Sequence, residues 1–194
     1  MKDKLAKYIS IITSLYITIP FFGLFIIGVY SSSLKEFLFL GATYIFFAGL
    51  LPMIFIYISV KSGNINDFNL IERKQRGGTL LTSTGSALLL IFIFKFISAP
   101  YPLFCLAVIL TMTNLVFYLI TNYWKISMHS GSFTGMVIVA TIFVSSYSLF
   151  FLLFIPVIAW ARVRLHRHTI LQTLVGSLVA IAVVLICSNI LGVI

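Results

Sequence analysis

Long apolar runs separated by short polar segments are the feature that most constrains how this chain can fold. The runs cover residues 9–30, 37–60, 79–98, 103–121, 132–161 and 169–191. A straight helix needs about 20 apolar residues to cross the hydrocarbon core of a bilayer, and most of the runs reach that length. Charged residues make up only 9% of the chain, whereas a soluble domain carries about 25%. We therefore expect an integral membrane protein, and place it in the cell membrane.

The expected fold is an all-α, polytopic membrane helix bundle, because a helix satisfies its own backbone hydrogen bonds in lipid. We expect one domain over residues 1–194, with two helices in 1–60 and the core in 61–194. Pro20 interrupts the first run and predicts a kinked helix there. This arrangement gives six to seven transmembrane segments, depending on how the longest run is divided.

The run 132–161 decides the topology, because its roughly 30 residues exceed the about 20 needed for one crossing. We expect a hairpin of two short helices, broken near Ser145–Ser148. Two crossings then separate each of the three polar segments 61–78, 122–131 and 160–168 from the next. All three segments would reach the same membrane face and could form one site at that interface.

The basic residues follow the same topology. Eleven of the thirteen fall on the face that carries the three polar segments, and Lys35 and Lys95 are left for the other face. The eleven are Lys2, Lys4, Lys7, Lys61, Arg73, Lys74, Arg76, Lys125, Arg162, Arg164 and Arg167. The positive-inside rule makes this face cytoplasmic. Because the charges are scattered over helix ends and form no continuous stripe, they favour lipid headgroups or an anionic substrate over nucleic acid.

The polar segments offer the groups that phosphoryl transfer needs. His129 and His168 lie in different segments, each near arginine or lysine. Cationic side chains neutralise phosphoryl oxygens, one histidine can attack phosphorus, and a second can protonate the leaving oxygen. The chain has four acidic residues, none near either histidine in sequence. A hard-metal site would want several carboxylates, so we expect neither a metal nor a cofactor.

The segment from Arg162 resembles the third motif of the type 2 phosphatidic acid phosphatase (lipid phosphate phosphatase) superfamily. That motif reads Ser-Arg, five residues, His, three residues, Asp, often followed by a small residue. Arg162, His168 and Gln172 have this spacing, and Gly176 follows.

Two further segments add to the resemblance, which covers residues from about 61 to 180. Ser127-Met128-His129 resembles the end of the second motif, Pro-Ser-Gly-His. Arg73–Gly77 stands where the first motif, a Lys followed seven residues later by Arg-Pro, is expected.

The resemblance implies a role for each residue. His168 would be the nucleophile and His129 the general acid, while Arg162 and Ser127 would bind phosphoryl oxygens. Further substrate-binding side chains would be Arg73, Lys74, Arg76 and Lys125. His166 and Arg164, by contrast, are expected to be interfacial residues outside the site.

The main departure from the family pattern is Gln172, which replaces the aspartate that orients and charges the nucleophilic histidine. A glutamine carbonyl can accept the Nδ1 proton, but it cannot stabilise an imidazolium as a carboxylate does. In another catalytic system the loss of such a carboxylate costs about four orders of magnitude in rate. Three alternatives stay open: Asp67 or Glu72 supplies the charge as a second orienting group, the enzyme is slow, or the chain is a non-catalytic relative.

The function expected from these residues is hydrolysis of a lipid phosphate or diphosphate monoester, through a phosphohistidine and without metal. The alternative is a non-catalytic lipid-phosphate-binding or structural membrane protein of the same fold. A haem protein with His129 and His168 as axial ligands is a third class, and a small transporter is a fourth.

Overall fold

The computed structural model describes residues 1–64 and 73–194, without the side chain of Lys74. All regular secondary structure in these ranges is helical, which confirms the all-α prediction. The α-helices are α1 (Lys2–Ile12), α2 (Leu15–Tyr30), α3 (Leu34–Ile45), α4 (Leu51–Lys61), α5 (Arg76–Phe96), α6 (Tyr101–Tyr123), α7 (Met128–Phe143), α8 (Ile155–Arg164) and α9 (Ile170–Ile190). A π-helical segment, Phe46–Leu50, joins α3 to α4, and 3-10 helices cover Arg73–Gln75 and Ser146–Phe154.

Five helical stretches of the described residues are long and apolar enough to cross a membrane. They are Leu34–Lys61, Arg76–Phe96, Tyr101–Tyr123, Ser146–Arg164 and Ile170–Ile190. The pair α1–α2 makes a sixth candidate if its two helices count as one bent span. The seventh predicted segment corresponds to α7, which has only 16 residues and is shorter than the about 20 that one crossing needs. The described residues are therefore all-helical, as predicted, with five or six stretches that could span a membrane.

These helices are apolar on their exposed faces as well as on their buried faces. Between 22% and 44% of the most apolar window of each span is buried within the protein. Side chains such as Phe92 and Phe96 are 62% and 90% exposed. Soluble monomers rarely present contiguous apolar surface on this scale, whereas lipid tails cover it without cost.

The bend that the sequence predicted at Pro20 lies before the proline. The helix bends by 44° between α1 and α2, at Thr13 and Ser14, and Pro20 lies inside α2. Thr13 Oγ1 donates a hydrogen bond to the carbonyl of Ile9 at 2.7 Å, a local bond that bends helices. Pro20 lies in the second turn of α2, which continues as one helix from Leu15 to Tyr30.

The chain forms two compact units, one of Met1–Val29 with Ile126–Ile194 and one of Tyr30–Lys125. These boundaries differ from the division at residue 60, and the single domain over the whole chain stays a prediction. In the second unit, α5 packs against α6, and the π-helical segment packs against α5. Ser86 on α5 donates a hydrogen bond to the carbonyl of Phe47. In the π-helical pattern the donor to this carbonyl would be Pro52, which has no N–H, so the carbonyl is available for a bond between helices.

The first unit contains the predicted break in the run 132–161. α7 ends at Phe143, and Ser145 caps the following 3-10 helix by accepting a hydrogen bond from the Tyr147 N–H at 3.3 Å. α7 packs against this 3-10 helix, α8 and α9. The chain therefore turns back after Phe143.

The direction of α8 follows from how α7 and α9 begin. Ser127, just before α7, donates its N–H to the carbonyl of Gln172 in the first turn of α9 at 3.2 Å. Because a short turn joins the end of α8 to α9, α8 ends where α7 and α9 begin. The segment 132–161 is thus a helical hairpin, as the topology argument requires.

Candidate functional site

His168 lies in the turn between α8 and α9, and the end of α8 builds that turn. The Arg167 N–H donates to the carbonyl of Arg162, and the His166 N–H donates to that of Val163, both at 3.0 Å. This pair of hydrogen bonds is the Schellman motif, in which the residue after the helix adopts a left-handed conformation. That residue is His166, with φ of 53°. The turn brings His168 back over the last residues of α8.

The start of α9 orients His168. Thr169 and Gln172 form a capping box in which the Thr169 Oγ1 accepts from the Gln172 N–H, and the Gln172 Oε1 accepts from the Thr169 N–H, both at 3.2 Å. The same Oε1 lies 3.2 Å from Nδ1 of His168, whose side chain is 7% exposed. A carbonyl oxygen accepts only if Nδ1 carries the proton, so the other ring nitrogen, Nε2, holds the lone pair.

Arg162 provides the positive charge of this site from the last turn of α8. Its side chain is only 6% exposed. It donates through Nη1 to the hydroxyl of Ser10 on α1, which packs against α8. Ser10 was not identified from the sequence, because 152 positions separate it from Arg162 and no local pattern marks it. A second contact between the same two helices is the ion pair of Asp3 with Arg164 at 2.7 Å, on the protein surface.

Ser127 and His129 approach the same place from α7. Ser127 is fully buried and caps α7, where its Oγ accepts from the Ser130 N–H at 3.5 Å and lies 3.1 Å from the Ser130 hydroxyl. His129 is half-buried in the first turn of α7. Because the backbone of Ser127 is bonded to that of Gln172, both sequence-predicted histidines lie at one end of the first unit.

Gly176 allows α7 and α9 to come this close. A Cβ atom built on Gly176 would lie 2.6 Å from the carbonyl oxygen of Ser127, a distance that backbone atoms do not tolerate. The next residue of α9, Ser177, accepts a hydrogen bond from the Thr134 hydroxyl of α7 at 3.0 Å. Gly176 therefore has a packing reason to be small.

The arrangement favours an anion. The N-termini of α7 and α9 lie together at this end, and the helix dipole makes such ends attractive to negative charge. The buried guanidinium of Arg162 adds a full positive charge. Among the described residues, no group of three or more His, Cys, Asp and Glu side chains could hold a metal ion.

The remaining predicted residues belong to the second unit. Arg73 donates through Nη1 to the carbonyls of Thr121, at 3.2 Å, and Asn122, and so caps the end of α6. Arg76 begins α5 and is 2% exposed, whereas Lys125 is half-buried. Their grouping with His168 in one site stays a prediction.

Three of the sequence-based assignments cannot be compared with the structure. Asp67 and Glu72, the two acids considered as a charge source for His168, lie outside the described residues, and so does the side chain of Lys74.

The sequence was compared with known families, curated proteins and solved structures. It matches no protein-family model, no curated protein and no solved structure.

Proposed function

We propose that this protein is a membrane lipid phosphatase of the type 2 phosphatidic acid phosphatase kind, with a core of that type built around the first unit. The observation that carries the proposal is the pairing of His168 Nδ1 with the Gln172 carbonyl oxygen at 3.2 Å, beside the buried Arg162. A buried histidine with a set tautomer next to a buried cation is suited to attack on phosphorus.

The reaction proceeds in two steps. The Nε2 lone pair of His168 attacks phosphorus, the bond from phosphorus to the lipid oxygen breaks, and His129 donates a proton to that oxygen. The lipid leaves as an alcohol, or as a monophosphate if the substrate is a diphosphate. Water then attacks the phosphohistidine while His129 accepts a proton, and inorganic phosphate leaves. No metal takes part in either step of this mechanism.

The surrounding groups stabilise the charge that spreads onto the phosphoryl oxygens. Arg162 supplies a buried guanidinium at this end of the first unit, held by Ser10 on α1. The helix dipoles of α7 and α9 add positive potential at the same end. Ser127, which caps α7, binds a phosphoryl oxygen. The acceptor for the charge that develops on His168 is the neutral Gln172, which makes the chemical step slow.

The substrate reaches the site from the bilayer, because the helices around it are apolar on their outer faces. We place the site on the cytoplasmic face of the cell membrane, where most of the basic residues gather. Phosphatidate, phosphatidylglycerophosphate and prenyl diphosphates are the substrates that suit this position.

A second candidate is a lipid-phosphate-binding protein of the same fold without turnover. It is favoured by one observation: the Oε1 atom of Gln172 already accepts the Thr169 N–H in the capping box. In that case the contact with His168 would be structural, and the site would bind phosphate without transferring it.

The test is phosphate release by purified protein in detergent, with EDTA present, on phosphatidate, phosphatidylglycerophosphate, and short and long prenyl diphosphates. The His168→Ala and His129→Ala variants run beside the wild type. Release that both substitutions abolish is the expected result. Monodisperse, folded wild-type protein that releases no phosphate from any of these lipids would refute turnover and leave the binding function.

A further inference from the structure

A groove of about 670 Å³ runs along the outer face of α8 towards the start of α9. Seven of its lining residues are apolar, and two at one end carry basic side chains. The lining consists of Ile155, Pro156, Ala159, Trp160, Val163, Arg164, His166, Ile170 and Leu174. Its volume is within the range of about 300 to 1,000 Å³ that is typical of small-molecule sites.

The position of the groove limits what can occupy it. Its walls belong to two stretches that can cross a membrane, Ser146–Arg164 and Ile170–Ile190, so its apolar part faces hydrocarbon. Arg164 and His166 mark its polar end, which coincides with the turn that carries His168. A ligand with a hydrocarbon tail and an anionic head matches this distribution of apolar and basic groups.

The backbone of His166 is a second and independent observation. His166 has φ of 53° at the position of a Schellman turn where glycine is usual. A side chain with a Cβ atom is less favourable than glycine in this conformation. The His166 imidazole is exposed and lines the groove. It can therefore contact a ligand there, which glycine, without a side chain, could not do.

We propose that this groove holds a hydrocarbon chain of a lipid phosphate monoester, and that His166 and Arg164 bind oxygens of its headgroup. This assignment rests on the proposed function and names where the substrate lies. His166 is two residues from His168, so the polar end of the groove lies on the same turn as the proposed nucleophile. Both residues were expected from the sequence to lie outside the site.

The groove positions the lipid but contributes little binding affinity of its own. Lipid tails are as apolar as the lining, so moving a chain from the bilayer into the groove releases little free energy. The selectivity must therefore come from the polar end. Phosphatidate should occupy the groove in preference to phosphatidylcholine, whose headgroup is zwitterionic, and to phosphatidylglycerol, whose phosphate is a diester.

Trp160 makes the occupant measurable, because its indole lines the groove and bromine atoms on a lipid chain quench tryptophan fluorescence on contact. The parent protein would carry Trp124→Phe, which leaves Trp160 as the sole tryptophan, and His168→Ala, which prevents turnover. It would be placed in nanodiscs with equal mole fractions of brominated phosphatidate, phosphatidylglycerol or phosphatidylcholine. We expect phosphatidate to quench Trp160 at least threefold more efficiently than the other two.

Two variants test the groove itself. His166→Gly suits the left-handed turn and so removes the imidazole without disturbing the fold, and Ala159→Leu fills the groove. Each should bring the quenching by phosphatidate down to that of phosphatidylglycerol. Ala182→Leu makes the same change at an exposed position of α9 outside the groove, and it should leave the excess quenching intact.

The outcomes separate this inference from the proposed function. Equal quenching by the three lipids in the parent, or an excess that survives both His166→Gly and Ala159→Leu, would overturn the groove assignment. Selective quenching together with a wild-type protein that releases no phosphate would support the groove and refute the phosphatase. Phosphate release without selective quenching would refute the groove alone.

Discussion

Replacing Gln172 by glutamate tests the catalytic reasoning most directly. Glutamate has the same length as glutamine, so a carboxylate oxygen would take the place of Oε1, 3.2 Å from Nδ1 of His168. The capping box would survive, since glutamate is a usual residue at the third position of such a box. The substitution therefore changes the charge beside the histidine and little else.

The size of the effect follows from the hydrogen bond. A neutral hydrogen bond contributes about 1 kcal/mol net, and one to a charged group about 1.5 to 3 kcal/mol. The phosphohistidine places positive charge on the ring, so the carboxylate should lower the barrier by about 0.5 to 2 kcal/mol, or about 2- to 30-fold in rate. The upper limit is the factor of about 10⁴ that such a carboxylate contributes to a Ser-His-Asp triad.

The assay is kcat for phosphate release from phosphatidate in mixed micelles, for wild type and Gln172→Glu at equal protein concentration. Gln172→Glu combined with His168→Ala is the control and should be inactive. A Gln172→Glu protein that is folded and monodisperse but no faster than wild type would contradict the assignment of Gln172 as the orienting partner of a nucleophile.

Three further predictions concern the packing that holds the site. Gly176→Ala should lower the free energy of unfolding by about 1 to 3 kcal/mol, because the new Cβ would meet the Ser127 carbonyl oxygen at 2.6 Å. Gly85→Ala, whose Cβ would have no atom within 4 Å, should not lower it. Equal shifts of the two variants in thermal unfolding would contradict the prediction. Ser127→Ala removes the cap of α7 and should cost about 1 kcal/mol, which a denaturant titration would measure; an unchanged midpoint would show that the cap is unimportant. Ser10→Ala should reduce kcat by about 10- to 150-fold with KM little changed, since a lost hydrogen bond to a charged group is worth about 1.5 to 3 kcal/mol. Ser10→Thr should restore the rate, and a loss in both variants would rule out the hydroxyl as the support of Arg162.

Much of the fold follows from hydropathy alone. Lipid offers no hydrogen bonds to the backbone, so an apolar run of sufficient length must be helical wherever it lies. The excess length of the run 132–161 over one bilayer crossing predicted the break that the structure has after Phe143. The bend between α1 and α2 was misplaced because the prediction followed the proline, whereas the helix breaks at Thr13 and Ser14.

Part of the candidate site is also local. His168, Thr169 and Gln172 lie within five consecutive residues, so their contacts depend on one turn and the start of one helix. Such short-range geometry can be inferred from spacing, and the contact of Gln172 with His168 is the one that the motif implies.

The supporting contacts belong to the packing of helices that are far apart in the chain. Ser10 meets Arg162, and the first turn of α7 meets that of α9, only because the helices lie side by side. Hydropathy cannot specify such pairings, since lipid and protein are equally good apolar neighbours for a membrane helix. Small residues such as Gly176 and hydrogen bonds between helices select the neighbours, and these act only once the helices have come together.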